Sequence, residues 1–182
     1  DGNRYTGKGL SAPLNVKFSP TVMVFNAKGA VAGKPLLDHA LDLADQAGAG
    51  PVVVNTHYLA DQIARHLAGR QVTLSHEADE ILETGGGLRK ALPQLGDGPV
   101  MTLNSDAVWT GQNPLSQLAA HWDPEMMDAL LLLLPVGQAT GHKGTGDFLI
   151  GADGRAERHH GGAAHLFEPF AEHGICAAIG QH

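Results

Sequence analysis

Apolar residues follow two alternating patterns along the chain. Short runs of strand length, "TVMVF" at 21–25, "PVVVN" at 51–55, "VTLSH" at 72–76, "VMTLN" at 100–104 and "ALLLLLPV" at 129–136, predict strands, of which "PVVVN" and "ALLLLLPV" read as fully buried. Between them lie stripes with helical spacing. Leu36, Leu37, Ala40, Leu41, Ala44 and Ala47 form one such stripe, Pro35 suits its first turn, and Gly48 suits the cap beyond its last. "YLADQIARHLAG" at 58–69 reads as a second amphipathic helix closing at Gly69, "LRKAL" at 88–92 as a short helix after a glycine stretch, and the segment from about Pro114 to His121 as another. This alternation predicts an α/β fold: a Rossmann-like, mainly parallel sheet with helices on both faces and right-handed crossovers.

Beyond Val136 the pattern gives way to "GQATGHKGTGDFLIGADGRAERHHGGAAHLF", rich in Gly and His. "GADGR" at 151–155 predicts a hairpin turn after "DFLI", so this region reads as a small antiparallel C-terminal extension of the sheet. At 182 residues and 43 % hydrophobic, the chain can bury one good core. Residues 1–182 are therefore expected to form a single domain, with the first twenty, which show no periodicity, loosely ordered.

Charge and cysteine usage narrow the function classes. With 19 acidic against 12 basic residues and a net charge of −7, and no Lys/Arg run long enough to face a duplex, a nucleic-acid partner is disfavoured. Cys176 is the single cysteine and has no partner for an intramolecular disulfide. No charged, apolar leader opens the sequence, so a cytoplasmic setting is expected. The apolar run at 129–136 is too short to cross a bilayer. No G-x-G-x-x-G opens the first crossover and no P-loop is present, which argues against hydride-transfer and ATPase chemistry.

Ligands of open α/β sheets bind outside the carboxyl ends of the strands. The residues there are Asn26, Ala27, Lys28 and Gly29 after the first strand, Asn55 and His57 after the second, Glu83, Thr84 and the glycines Gly85 to Gly87 after the third, and Asn104, Ser105 and Asp106 after the fourth. These small, amide, hydroxyl and carboxylate groups suit a nucleotide and a metal better than an apolar ligand. Three consecutive glycines let a flat base or a phosphate approach the backbone, next to the outward amides of a helix start.

"VAGKPLLDHALDLADQAGA", "VVVNTHYLADQIARHL", "LETGGGLRKALPQLG" and "MTLNSDAVW", colinear from about Val31 to about Phe167, resemble the sugar-1-phosphate nucleotidyltransferase family. Within it they resemble the branch of N-acetylmuramate-1-phosphate uridylyltransferases of cell-wall recycling and mannose-1-phosphate guanylyltransferase-like proteins. The resemblance implies Mg²⁺-dependent transfer of a nucleoside monophosphate from an NTP, UTP favoured, to a sugar 1-phosphate, with release of pyrophosphate. It also implies the site. Asp106 in "LNSDAV" would hold the metal; Glu83, Thr84, Gly85 and Gly86, with Asn55 and His57, would line the nucleotide pocket; Asn104 and Asp147 would meet the sugar; and Lys28 would act on the triphosphate.

The sequence also departs from that family. Its members carry a G-x-G-T-R loop, then P-x-T and P-K, directly after the first strand, whereas here only "NAKGAVAGKP" follows "TVMVF". Family members also supply a second metal ligand late in the chain, where this sequence has "EPFAEHGICAAIGQH". A catalytically impaired NTP- or sugar-phosphate-binding relative is therefore a competing reading. It turns on whether Lys28, Lys34 or Arg89 reaches the triphosphate. Simpler roles stay open for single residues: Asp106 as a turn cap, the glycines as a flexible turn, His57 as a satisfied core histidine and Asp147 as a strand start. A remote alternative is a His-rich metal site of Glu157, His159, His160 and His165.

Overall fold

Val22, Met23 and Val24 are fully buried, as a strand sandwiched between two helical layers must be. They form the middle of β1 (Thr21–Phe25) in a computed structural model that describes residues 21–25, 29–141, 146–158 and 170–179. Lys28, the first twenty residues, and His159, His160 and His165 lie outside the described residues. A small hairpin follows, β2 (Ala30–Val31) and β3 (Lys34–Pro35), turned at Ala32 and Gly33, both at positive φ. Next come α1 (Leu36–Gln46), β4 (Val52–Thr56), α2 (Ala60–His66), β5 (Thr73–His76), α3 (Glu83–Leu95), β6 (Val100–Asn104), α4 (Pro114–His121) and β7 (Ala129–Pro135). The chain continues through a 3-10 turn at Val136–Gln138 into β8 (Phe148–Ile150), β9 (Ala156–Arg158) and β10 (Phe170–Ile179).

The sheet runs β5-β4-β1-β6-β10-β8-β9, with β7 also paired to β10. Its first four strands are parallel, as predicted, and the C-terminal strands add to it antiparallel. Alternation along β1 and β4 assigns the two faces. Val22, Val24, Val52 and Val54 join one buried cluster with Leu37, Ala40, Leu41 and Ala44 of α1 and Leu115, Leu118 and Ala119 of α4. Met23 and Val53 join a second with Ala91 and Leu95 of α3 and Val100. The stripe predicted for α1 is thus the face it buries, although only its middle is fully enclosed.

The end of α4 was legible in the sequence because its chemistry is local. Asn113 caps it, its side chain accepting from Leu115 N at 2.9 Å and Ser116 N at 3.2 Å, with Pro114 as first helical residue, the residue types a helix start favours. The same Asn113 side chain donates to Leu43 O at 2.8 Å, tying α4 to the last turn of α1.

Three expectations change. The glycines are not a turn ahead of a five-residue helix: α3 starts at Glu83 and runs through Gly85, Gly86 and Gly87, with Pro93 in its last turn. Gly87 is buried, and Ala91 and Leu95 further along the helix pack with Met23 of β1 and Val53 of β4. Second, β7 is half-buried, not buried. It pairs with β10, and Leu130 and Leu132, on one face of the strand, pack on the main core. Third, β10 was not predicted, since "FAEHGICAAI" mixes charged, glycine and apolar residues; its pairing with β7 shifts register between Ala171 and Cys176, as a bulged strand does.

Trp122 is the largest fully enclosed side chain, 1 % exposed, and its indole N–H meets no acceptor among the described residues. Trp122→Ala should cost about 3–5 kcal/mol through the cavity it leaves. Trp122→Phe keeps most of the ring and removes an unpaired buried donor, so it should cost less than about half as much. Urea unfolding of both variants checks this; equal losses would show that the indole nitrogen is engaged.

Candidate functional site

The carboxyl edge of the parallel strands gathers the candidate residues in register. Phe25, the last residue of β1, stands opposite Asn55 of β4 on one side and Asn104 of β6 on the other. Neighbouring strands lie about 4.8 Å apart, which puts the two asparagine backbones about 10 Å from each other across the end of β1. Beyond Asn104, Ser105 is fully buried while Asp106 is exposed, and no described residue bonds its carboxylate. Phe148 of β8 pairs with Phe170 at the start of β10, and β10 then runs back along β6, so Asp147 stands at this same end of the sheet.

Sequence reasoning passed over Glu77, which follows β5. It is 2 % exposed, and all four of its polar functions are used. One carboxylate oxygen accepts from Asn55 Nδ2 at 3.2 Å and the other from Leu82 N at 3.0 Å. Its backbone N–H donates to Thr56 O at 2.7 Å, and its carbonyl accepts from His57 Nδ1 at 2.5 Å. Asn55 and His57, both expected at the nucleotide, are therefore bonded to Glu77. The one signal in the sequence was a carboxylate directly after the strand "VTLSH".

Glu77 leads into the start of α3. Leu82 flanks the helix without a side-chain cap, Glu83 sits at φ 56°, and Glu83, Thr84 and Gly85 are exposed. The first amides of a helix have no partner within it and carry the positive end of its dipole, so this turn offers donors to an anion or a base edge. The glycines differ in what they require. A Cβ on Gly85 would meet nothing within 4 Å, whereas one on Gly86 would lie 2.9 Å from Leu82 Cβ.

A cleft of about 610 Å³ opens beside this edge, between the β2–β3 hairpin, α1 and α2, lined among others by Gly29, Asn55, His57, Gln62, His66 and Glu77. Asn55 and His57 face it; Glu83, Thr84, Gly85, Gly86, Asn104, Asp106 and Asp147 are not part of its wall. Lys34 is paired with Asp42. Arg70 adds to Asp42 at 3.4 Å and lies 4.0 Å from Asp38, which also accepts from His66 Nε2 at 2.9 Å. The hydrogen bond from Lys34, reinforced by its charge and by Arg70, holds the Asp42 carboxyl below its ordinary value. Arg89 is exposed. Among the described residues no group of three or more His, Cys, Asp or Glu side chains could hold a metal ion, and no helix is long and apolar enough to cross a membrane.

Comparison with known proteins gives a consistent result. Residues 28–138 match the model of the MobA-like NTP transferase domain. The chain is 41 % identical over 133 residues to the N-acetylmuramate alpha-1-phosphate uridylyltransferase of Caulobacter vibrioides, covering 68 % of this chain and 55 % of that one. It is 34 % identical over 125 residues to the protein of the same name from Neisseria meningitidis serogroup B, covering 66 % and 53 %. The chain thus spans about half the length of these curated relatives. Its fold matches that of HddC from Yersinia pseudotuberculosis, solved in complex with GMP-PN, with a TM-score of 0.58 at 15 % identity over 88 % of this chain and 76 % of the other.

Gly85→Ala should stabilise the protein by about 0.5–1 kcal/mol, because alanine fits the open space and costs less entropy in a helix. Gly86→Ala should destabilise it, since Leu82 must shift to admit the methyl; thermal unfolding separates the two, and a loss for both would mean that the turn has another conformation. Asp42→Asn should cost no more than about 0.5 kcal/mol at neutral pH, because both partners of the pair are more than a third exposed and screened by solvent. A carboxyl depressed in the folded state stabilises fully above its unfolded value, ordinarily 3.8, and loses that contribution as pH falls through the folded value. The difference between wild type and Asp42→Asn should therefore persist from neutral pH to about pH 4 and shrink below it in acid unfolding curves.

Proposed function

The chain belongs to the MobA-like NTP transferase domain family, and from that premise we propose that it transfers a nucleoside monophosphate from an NTP, UTP in preference to others, to a sugar 1-phosphate. The observation that carries the reading is the shared edge: an exposed, unengaged Asp106 two residues beyond Asn104, with Asn55 across the end of β1 and the uncapped start of α3 after the next strand. The names of the two curated relatives favour uridine and make N-acetylmuramate 1-phosphate the first acceptor to try. The HddC structure with GMP-PN adds a nucleotide ligand on the same fold.

In this reaction an oxygen of the sugar phosphate attacks the α-phosphorus in line. A new P–O bond forms as the bond from the α-phosphorus to the oxygen bridging the β-phosphorus breaks, and pyrophosphate leaves with that electron pair. The protein's task is positioning and neutralisation. The exposed Asp106 carboxylate fits Mg²⁺, which is commonly held by one or two carboxylates together with waters and phosphate oxygens; when bound, the ion neutralises charge developing on the transferred phosphate. Glu83, Thr84, Gly85 and Gly86 receive the base, with Asn55 and His57 behind them. Asn104 and Asp147 take the sugar, and Lys28, which lies outside the described residues, is assigned the triphosphate from the family resemblance alone.

A second reading, NTP binding without transfer, is favoured by one observation: Lys34, a candidate for the phosphates, is held by Asp42. Pyrophosphate release measured with each NTP, Mg²⁺ and a panel of sugar 1-phosphates separates the two. Transfer predicts release with UTP and one sugar phosphate, reduced at least about 100-fold by Asp106→Ala. An NTP that raises the melting temperature while no pair releases pyrophosphate establishes binding alone. Gly85→Ala should raise the KM for the NTP about tenfold even as it raises the melting temperature; unchanged KM would remove Gly85 from the nucleotide pocket.

A further inference from the structure

Glu77 is the most enclosed acidic residue among those described, and no ion pair among the described residues reaches it. It is instead bonded to the end of β4 and the residue after it on one side, and to the segment that leads into α3 on the other. On the β4 side it holds Asn55 Nδ2, Thr56 O and His57 Nδ1; on the α3 side it holds Leu82 N. Leu82 is a pivot. Its amide is fixed by the Glu77 carboxylate, and its Cβ occupies the space that leaves room only for glycine at 86. The next residue, Glu83, adopts φ 56°, a conformation that residues other than glycine enter at a cost and keep only when their surroundings impose it.

We propose that Glu77 is a positioning residue for the nucleotide pocket: through Leu82 on one side and Asn55 on the other, it holds the turn Glu83–Gly86 in the conformation that accepts the NTP. The proposal rests on the reading of that turn as the nucleotide pocket. Both carboxylate oxygens are occupied within the fold, so Glu77 acts on the nucleotide through the backbone it fixes. The Glu77→Gln side chain can keep both ties. Its carbonyl accepts from Leu82 N, and its amide donates to Asn55 once the Asn55 side chain turns over. The Glu77→Leu side chain matches the volume but leaves the Leu82 amide without its acceptor and removes the tie to Asn55.

The test compares wild type, Glu77→Leu and Glu77→Gln by hydrogen exchange without ligand and by steady-state kinetics with UTP, Mg²⁺ and the sugar phosphate that wild type uses. Asn55→Ala, which removes one of the two ties to the carboxylate, replaces Glu77→Leu if that variant does not fold, and it is read by hydrogen exchange alone because Asn55 is itself assigned to the pocket. In Glu77→Leu the amides of residues 82–86 should exchange about tenfold faster, with those of residues 37–44 unchanged. The KM for UTP should rise about tenfold, with the KM for the sugar phosphate within about twofold of wild type. Glu77→Gln should return both readouts to within about threefold. Uniformly faster exchange across the fold, an equal rise in both KM values, or faster exchange with an unchanged KM for UTP would overturn the positioning role. Should wild type turn over no NTP, the transferase reading falls, and exchange together with UTP affinity by calorimetry still decides the role of Glu77. A wild type that neither turns over nor binds UTP overturns both.

Discussion

A carboxylate that is 2 % exposed must find donors inside the protein, because leaving one oxygen unpaired costs on the order of 1–3 kcal/mol and more for a charged group. Glu77 finds them on the last residue of the segment before α3, at Leu82 N, and on the neighbouring strand β4, at Asn55 Nδ2. Parallel strands deliver their carboxyl ends to one edge of the sheet, but they do not fix how the chain departs from that edge. At β4 and β5 the departure is fixed by Glu77, which joins Asn55, Thr56 and His57 to Leu82. The start of α3 inherits its position from that junction, and the exposed first turn can stay free of a side-chain cap because its preceding residue is already anchored.

The sheet supplies the rigid floor beneath this edge. Its two faces are sealed by different helices, α1 and α4 on one side and α3 on the other, so Val22, Met23 and Val24 of β1 are all enclosed. Register then carries the order outward: Asn55 and Asn104 flank Phe25 because β4 and β6 flank β1. Asn113 reinforces the frame by capping α4 and bonding Leu43 O, which couples the helix after the Asp106 loop to the helix after the hairpin.

What was legible in the sequence is what local chemistry determines. The helix start near Pro114 and the "GADGR" turn between β8 and β9 were legible because each follows from residues adjacent in the chain. Buried parallel strands were equally plain, since "TVMV", "VVV" and "VMTL" admit few other structures. The glycine stretch misled because glycine's poor helix propensity is a local cost, whereas the gain from laying α3 against the sheet is tertiary. β10 was missed because its pairing partners, β6, β7 and β8, lie far from it in sequence, and pairing outweighs the weak pattern of "FAEHGICAAI". Glu77 was invisible for the same reason: a single acidic residue after a strand looks like ordinary surface until Asn55, 22 positions earlier, is brought against it. Among the candidate residues, the sequence located the strand ends correctly but could not say that Asn55 and His57 bond to Glu77, or that Lys34 bonds to Asp42.

That last pairing changes how a triphosphate would be neutralised. Asp38 and Asp42 of α1 engage Lys34, His66 and Arg70, so the Lys34 and Arg70 cations are already paired with carboxylates. In the proposed reaction the compensation then falls on Lys28, on a cation at Asp106 and on backbone amides at the start of α3. An amide carries a small dipole whose benefit falls steeply with distance and angle, whereas a mobile lysine can follow its partner. A site that relies in part on amides needs those amides held still. A buried carboxylate bonded at every polar atom provides that constraint, and the strained Glu83 that follows it is the local cost of placing the turn where it stands.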